Sequence, residues 1–272
     1  MNKAHILLRD TVSPYGPVNI MQAHMPDTRF SRHSHDGFGI GVITAGALSF
    51  CYRGENLTAF KGLVNTVNPD EPHDGRPAAA YGWAYRMLYF SEAVFRNAFH
   101  DISGKTKTPY ILNGVINDPK LAGEIFRFTE LTASTHETLK ADSAFCILMS
   151  SVMAHIDKKP QESRTYRLGG KLRKVKDCIN ERINENITGK ELAETAGLSL
   201  YHFIRSFKAD TGLTPHEYSS VRRAIYARNL LLKGMTPAEA ASEAGYSDQS
   251  HMTRRFRQFF GATPKIFSKN IL

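Results

Sequence analysis

One pattern occurs twice in the last third of the chain, and it constrains the fold more than any other feature. Lys190-Glu191-Leu192-Ala193-Glu194-Thr195-Ala196-Gly197-Leu198-Ser199 precedes one amphipathic stretch. Pro237-Ala238-Glu239-Ala240-Ala241-Ser242-Glu243-Ala244-Gly245-Tyr246-Ser247 precedes another. Each copy is a short run of helix formers with small residues, then Ala-Gly, an apolar residue and Ser. A helix ending on a residue free to take positive φ, followed by a hydroxyl that caps the next helix, makes a helix-turn-helix. Gly197 and Gly245 fall at the stop. Ala193 and Ala241 are small where two helices cross, Leu198 and Tyr246 plug the turn, and Ser199 and Ser247 cap the second helix. A single match would say little; two in register within one helical region define a tandem unit.

The second helix of each copy has two faces. Phe203 and Phe207 in the first, and Met252, Phe256 and Phe259 in the second, are spaced to face a core. Tyr201, Ile204, Arg205 and Lys208, and then Gln249, Ser250, His251, Arg254 and Arg257, fall on other faces. Amides, hydroxyls and guanidinium groups hydrogen-bond base edges and phosphates, and Arg reads guanine bidentately. Thr214-Pro215 opens a long helix through about Lys233. At 1.5 Å per residue that rod spans about 30 Å, near the ~34 Å between successive major grooves on one side of DNA. Arg222, Arg223 and Arg228 along it are phosphate candidates.

The charge distribution points the same way. From Gln161 to the end, 19 Lys and Arg stand against 11 Asp and Glu, a surplus of +8 out of a total of +9. A basic segment joined to a neutral one suggests a polyanionic partner for the basic part alone. No run approaches the ~20 apolar residues of a membrane span, and no secretory leader is visible, so a cytoplasmic protein with no membrane partner is expected. Cys51, Cys146 and Cys178 are odd in number and widely spaced, which fits free thiols.

Ahead of the repeat the period changes. Gly39–Ile43, Ala47–Tyr52, Leu63–Val67 and Trp83–Phe90 read as short strands separated by Gly, Pro, Asn and Asp clusters, which predicts a small β-barrel over about 17–90. Helices follow over about 91–157: one capped by Ser91, one opened by Asp118-Pro119, and one over about 141–156. Residues 158–170 read as a linker. Residues 171–272 form the helical part, with helix-turn-helix units over about 189–210 and 237–260 and seven helices near 171–184, 189–196, 200–210, 214–233, 237–244, 248–260 and 264–268. The fold class is therefore α+β: a barrel with flanking helices in residues 1–157, then an all-α domain whose two helix-turn-helix units share one long helix.

These residues resemble the AraC/XylS family of transcription regulators over Ile187 to Phe267. The matching landmarks include Ala196-Gly197-Leu198-Ser199, Thr211-Gly212 with Thr214-Pro215, Gly245-Tyr246-Ser247, Phe260-Gly261 and Thr263-Pro264. The resemblance implies that Tyr201, Ile204, Arg205 and Lys208 enter one groove of double-stranded DNA, and Gln249, Ser250, His251 and Arg254 the next. Ile204 departs from the polar residue often found at its position. The N-terminal part is similar to the cupin-like sensor of the same family, through His33-Ser34-His35, Gly62 and Asn68-Pro69-Asp70-Glu71-Pro72-His73. Gly82-Trp83-Ala84-Tyr85-Arg86-Met87 resembles a subgroup associated with amino-acid exporters, which implies an amino acid or other small carboxylate as effector.

Within the barrel, His33, His35, Glu71, His73, Trp83, Tyr85 and Arg86 are the candidate ligand-binding residues, with Asp74 beside them and Arg86 suited to fork a carboxylate. Metal-binding cupins add a Glu a few residues after His-x-His, where this chain has Gly39 and Ile40, so no cofactor is expected, and a divalent metal on His33, His35 and His73 is the less favoured reading. Two functions remain open. One is a regulator, not an enzyme, controlled by a small molecule, homodimeric through the helices near 119–157, and reaching RNA polymerase if it activates. The other is a metal-dependent cupin enzyme fused to a DNA-binding domain.

Overall fold

A computed structural model describes residues 5–106, 109–134, 138–156 and 169–269. It divides into two units, an N-terminal β-rich one and a helical one from residue 169, with which the short strand β3 (Phe30–His33) is grouped. Most of the expected linker, 158–168, lies outside the described residues.

The β-rich unit is built from β1 (His5–Ser13), β2 (Gly16–Met25), β4 (Gly37–Tyr52), β5 (Glu55–Phe60), β6 (Val64–Val67), β7 (His73–Pro77), β8 (Trp83–Ser91) and β9 (Val115–Ile116). The strand order is β1-β2-β8-β4-β6-β9, and β4 also pairs with β5 and β7. The long strand β4 thus belongs to two sheets, with an irregularity between Ile43 and Ala45 where it passes from one to the other. Strand β1 begins at His5, so the barrel starts earlier than residue 17; its run of mixed polar and apolar residues carries little periodicity, and nine residues of pairing to β2 hold it. Strand β9, two residues long, is likewise fixed only by its partner β6.

One sheet face carries Val18, Ile20, Phe38, Ile40, Val42, Val64, Leu88 and Phe90 into a core shared with α1 (Glu92–Ser103), α2 (Pro119–Ser134) and α3 (Thr138–Met153). Phe95, Ile125, Phe128, Phe145, Leu148 and Met149 are the helical half of that core. Ser91 caps α1 as its position predicts, accepting from the Val94 N–H.

The helical unit comprises α4 (Gly169–Glu181), α5 (Gly189–Ala196), α6 (Leu200–Thr211), α7 (Pro215–Leu232), α8 (Pro237–Glu243), α9 (Gln249–Phe260) and α10 (Pro264–Lys269). The seven expected helices are all present, with ends moved by no more than three residues. Thr188, Thr214 and Thr236 each close a capping box with the Glu three residues on, so α5, α7 and α8 start where the sequence demands. Helix α7 packs against α4, α6, α8, α9 and α10. Its 18 residues make a rod of about 27 Å. Among the described residues no helix is long and apolar enough to cross a membrane.

Candidate DNA interface and sensor interior

The two helix-turn-helix units pair α5 with α6 and α8 with α9. Gly197 takes φ 60° and ψ 44°, and its N–H closes the end of α5 on Ala193 and Glu194. Gly245 takes φ 71°, and a Cβ there would stand 2.1 Å from the Asn184 carbonyl oxygen. Only glycine fits both the dihedral and the space. Ser199 caps α6 as expected. Ser247 does not cap α9; Asp248 does, its carboxylate accepting the His251 N–H at 2.7 Å, while the Ser247 hydroxyl reaches the Asp248 carboxylate. That N–H holds the Asp248 carboxyl below its ordinary range. A carboxylate in a helix's first turn suits the positive end of its dipole.

Phe203 and Phe207 are buried under α6, and Met252, Phe256 and Phe259 under α9. The opposite faces are open. Tyr201, Ile204, Arg205 and Lys208 are exposed along α6, at the spacing of one helical stripe. Gln249, Ser250, Arg254 and Arg257 are exposed on α9, and His251 is half-buried against the Tyr246 ring. Every residue the sequence assigned to DNA thus lies off the core. Two of the three α7 arginines do something else. Arg222 donates to Asn180 Oδ1 at 2.7 Å. Arg223 donates to the carbonyls of Ile183 at 2.9 Å, Glu185 at 2.7 Å and Gly245 at 3.3 Å. Both are half-buried, and their guanidinium groups fasten the α4–α5 connection and the second turn to α7 rather than meeting phosphates. Arg228 lies over the Phe260 ring, 5.7 Å from its centroid.

The candidate sensor residues separate into four groups. Tyr85 and Trp83 stack with centroids 6.4 Å apart on the face of β8 opposite the helical core. His35 stands between Tyr89, at 5.2 Å, and His73, at 5.0 Å. The ligand-capable atoms of His33, His35 and His73 lie within 4.8 Å of one another. The Nδ1 atoms of His33 and His73 sit 2.7 Å and 3.0 Å from the carbonyl oxygens of Ser31 and Glu71. A carbonyl only accepts, so each Nδ1 carries a proton and Nε2 is the nitrogen left to face other groups. Two imidazoles so oriented, with His35 beside them, are chemically fit to ligate a divalent ion.

Glu71 and Arg86 lie elsewhere. The Glu71 carboxylate accepts from Tyr52, from Tyr110 at 2.7 Å and from Arg53 at 2.8 Å. Arg53 also donates to the Ile111 and Leu112 carbonyls, so this cluster ties the 110–112 segment to the barrel. Burial and the Glu71 charge raise the Tyr52 phenol well above its ordinary range. Asp74 accepts the Cys51 N–H at 2.7 Å, a structural role within the sheet. Arg86 is on the opposite face of β8 from Trp83 and Tyr85; it donates to Thr129 Oγ1 at 3.0 Å and pairs with Glu130 of α2. Alternation along a strand sends even and odd residues to opposite faces, and Arg86 goes with Leu88.

The same alternation identifies lining residues that sequence reading missed. Gly41 is paired with Met87 on one side and Asn65 on the other, and Met87 with Met21. Gly39 is paired with Tyr89 and Val67. These residues share the face of Tyr85 and Trp83. The only early signal was Gly37-x-Gly39-x-Gly41, a period of two hidden inside an apolar run.

Comparison with known proteins supplies the context for both sites. Residues 18–148 match the AraC-like ligand binding domain, and residues 192–270 match a helix-turn-helix domain. An uncharacterized HTH-type transcriptional regulator of Bacillus subtilis, YbfI, is 28% identical over 224 residues, 82% of each chain. The HTH-type transcriptional activator RhaS of Yersinia pestis is 25% identical over 264 residues, 93% of this chain and 94% of its own. Among solved structures, ToxT from Vibrio cholerae superimposes with a TM-score of 0.60 at 10% identity, covering 98% of both chains, which shows a shared fold.

Proposed function

Because the chain belongs to the AraC family of transcriptional regulators, with its ligand-binding domain ahead of its helix-turn-helix domain, we propose that α6 and α9 are the two base-reading helices and that a small molecule held in the barrel controls them. The observation that carries the first half is the division of each helix into a buried aromatic face and an open face bearing Arg205 or Arg254. Arg257 and Lys208, one turn further on, suit phosphates, which set register without reading sequence. Selection of bound duplexes from random sequence at fixed salt tests this directly. Two half-sites about one helical turn apart are expected; a preference for one half-site only, or for none, defeats the two-helix reading.

The amino acid or other small carboxylate that the subgroup resemblance implies as effector had Arg86 as its candidate fork. With that guanidinium turned to Glu130, the charge for a carboxylate fork is not supplied from β8. Dimerisation through α2 and α3 is supported by Phe126, Leu139 and Ile147, apolar side chains left 36%, 79% and 45% exposed beside a core that is already full. Sedimentation at micromolar concentration gives twice the chain mass on this reading, and one chain mass overturns it. A regulator of this kind acts in the cytoplasm, where its operator is, and as an activator it contacts RNA polymerase; reporter transcription with purified polymerase checks that contact.

A further inference from the structure

Asn65 sits on β6, a strand whose four residues are all buried. The residue is 7% exposed, and its Oδ1 is fully shielded with no hydrogen-bond partner among the described residues. A shielded amide oxygen without a donor is costly, so such groups are rare in folded chains. Its direction is fixed by pairing. Asn65 is opposite Gly41, which is opposite Met87, which is opposite Met21. Residues paired across an antiparallel ladder share a face. A Cβ built on Gly41 would lie 2.0 Å from the Met87 sulfur, so this is the Met87 face and not the helical core.

Next to Asn65 that face is mostly apolar and soft, with His35 at its Tyr89 end. Met21, Met25 and Met87 supply three flexible thioethers, and Trp83, Tyr85 and Tyr89 supply aromatic walls. Gly39 and Gly41 supply no side chain at all, and Met87 lies in the space they leave. A thioether on three rotatable bonds can swing aside where a branched side chain cannot. A second polar group here is also poorly matched: the buried Tyr85 hydroxyl donates only to the Met21 sulfur, at 3.6 Å, and sulfur is a weak acceptor.

We propose that Asn65 is the polar reader of the sensor site: its Oδ1 accepts from an N–H or O–H of a small, uncharged, aromatic effector that displaces Met87 and lies against Trp83, Tyr85 and Tyr89. This rests on the reading of the barrel interior as the sensor site, and it names the ligand class. The methionine and aromatic surfaces select an apolar ring system through sulfur–ring and ring–ring contacts. The lone acceptor selects for a donor, because a ligand without one leaves Oδ1 as unsatisfied as before.

Indole and benzofuran test it on the full chain. They share a ring skeleton and differ in one position, N–H against ring oxygen. Calorimetric titration of the wild-type protein is expected to show indole binding about tenfold or more tightly than benzofuran. In Asn65→Leu, which keeps the branched shape and removes the acceptor, that preference disappears. With no probe present, Asn65→Leu is expected to raise the thermal midpoint, because it deletes an unmatched polar atom; a lowered midpoint means that Asn65 is structurally satisfied and overturns the proposal. If wild type binds both probes equally, the donor reading fails and the sensor reading stands. If it binds neither probe, the aromatic-effector proposal fails.

Discussion

Replacing Gly245 with alanine measures how tightly the second helix-turn-helix is wound. The residue sits at φ 71°, where a Cβ costs about 1–2 kcal/mol from local sterics alone. The new methyl group would also stand 2.1 Å from the Asn184 carbonyl oxygen and 2.7 Å from its carbon. These are backbone atoms and cannot swing away. Nor can they retreat cheaply, because Arg223 holds the carbonyls on either side, Ile183 at 2.9 Å and Glu185 at 2.7 Å, together with that of Gly245 itself. Moving the strap by about an ångström loosens two or three hydrogen bonds, each worth about 1 kcal/mol. The total is about 3–5 kcal/mol, a large share of the 5–15 kcal/mol that holds a typical domain. Gly234 provides the control. Its φ is 90°, but a Cβ there meets nothing within 4 Å, so Gly234→Ala carries the dihedral cost alone, about 1–2 kcal/mol. Urea unfolding followed by ellipticity at 222 nm gives both values. Equal losses at the two positions would show that the Asn184 strap yields freely and that the turn is not held as described.

Arg254→Ala is expected to weaken operator binding by about 1–3 kcal/mol and to relax base preference at one position, read by fluorescence anisotropy at fixed salt; unchanged affinity and preference refute a base-reading role. Thr236→Ala removes the α8 cap and is expected to cost about 1 kcal/mol in the same urea assay, with no loss counting against the capping box. Glu191, Glu217, Glu239 and Asp248 are all held below their ordinary carboxyl values, chiefly by backbone N–H groups. A lowered folded-state value stabilises above the unfolded one and loses that stability as pH falls through the folded one. Helical stability should therefore decline as pH drops below about 4.5, and a flat profile from pH 5 to 3 would contradict the assignment.

The helical unit was legible in the sequence because its signals are local. Capping boxes, Pro at first helical positions, positive-φ glycines and aromatic stripes each act within about one turn, and together they fixed α5 to α9 to within a few residues. They also fixed which faces of α6 and α9 stay open, since burying Phe203, Phe207, Met252 and Phe256 leaves no other choice. The barrel was legible as a kind of fold but not as a site. Whether Arg86 reaches an effector or Glu130 depends on which face of β8 meets α2, and that is set by pairing with β2 and β4, strands tens of residues away. The same long-range pairing put Asn65 beside Met87 and gave β1 its place, though neither shows periodicity of its own. Arg222 and Arg223 read as phosphate candidates until α4 and the connection after it folded back over α7 and supplied Asn180, Ile183 and Glu185 as partners. Short-range hydrogen bonding and helical period are written in consecutive residues; strand register and the fate of a long cationic side chain are decided only when distant segments meet.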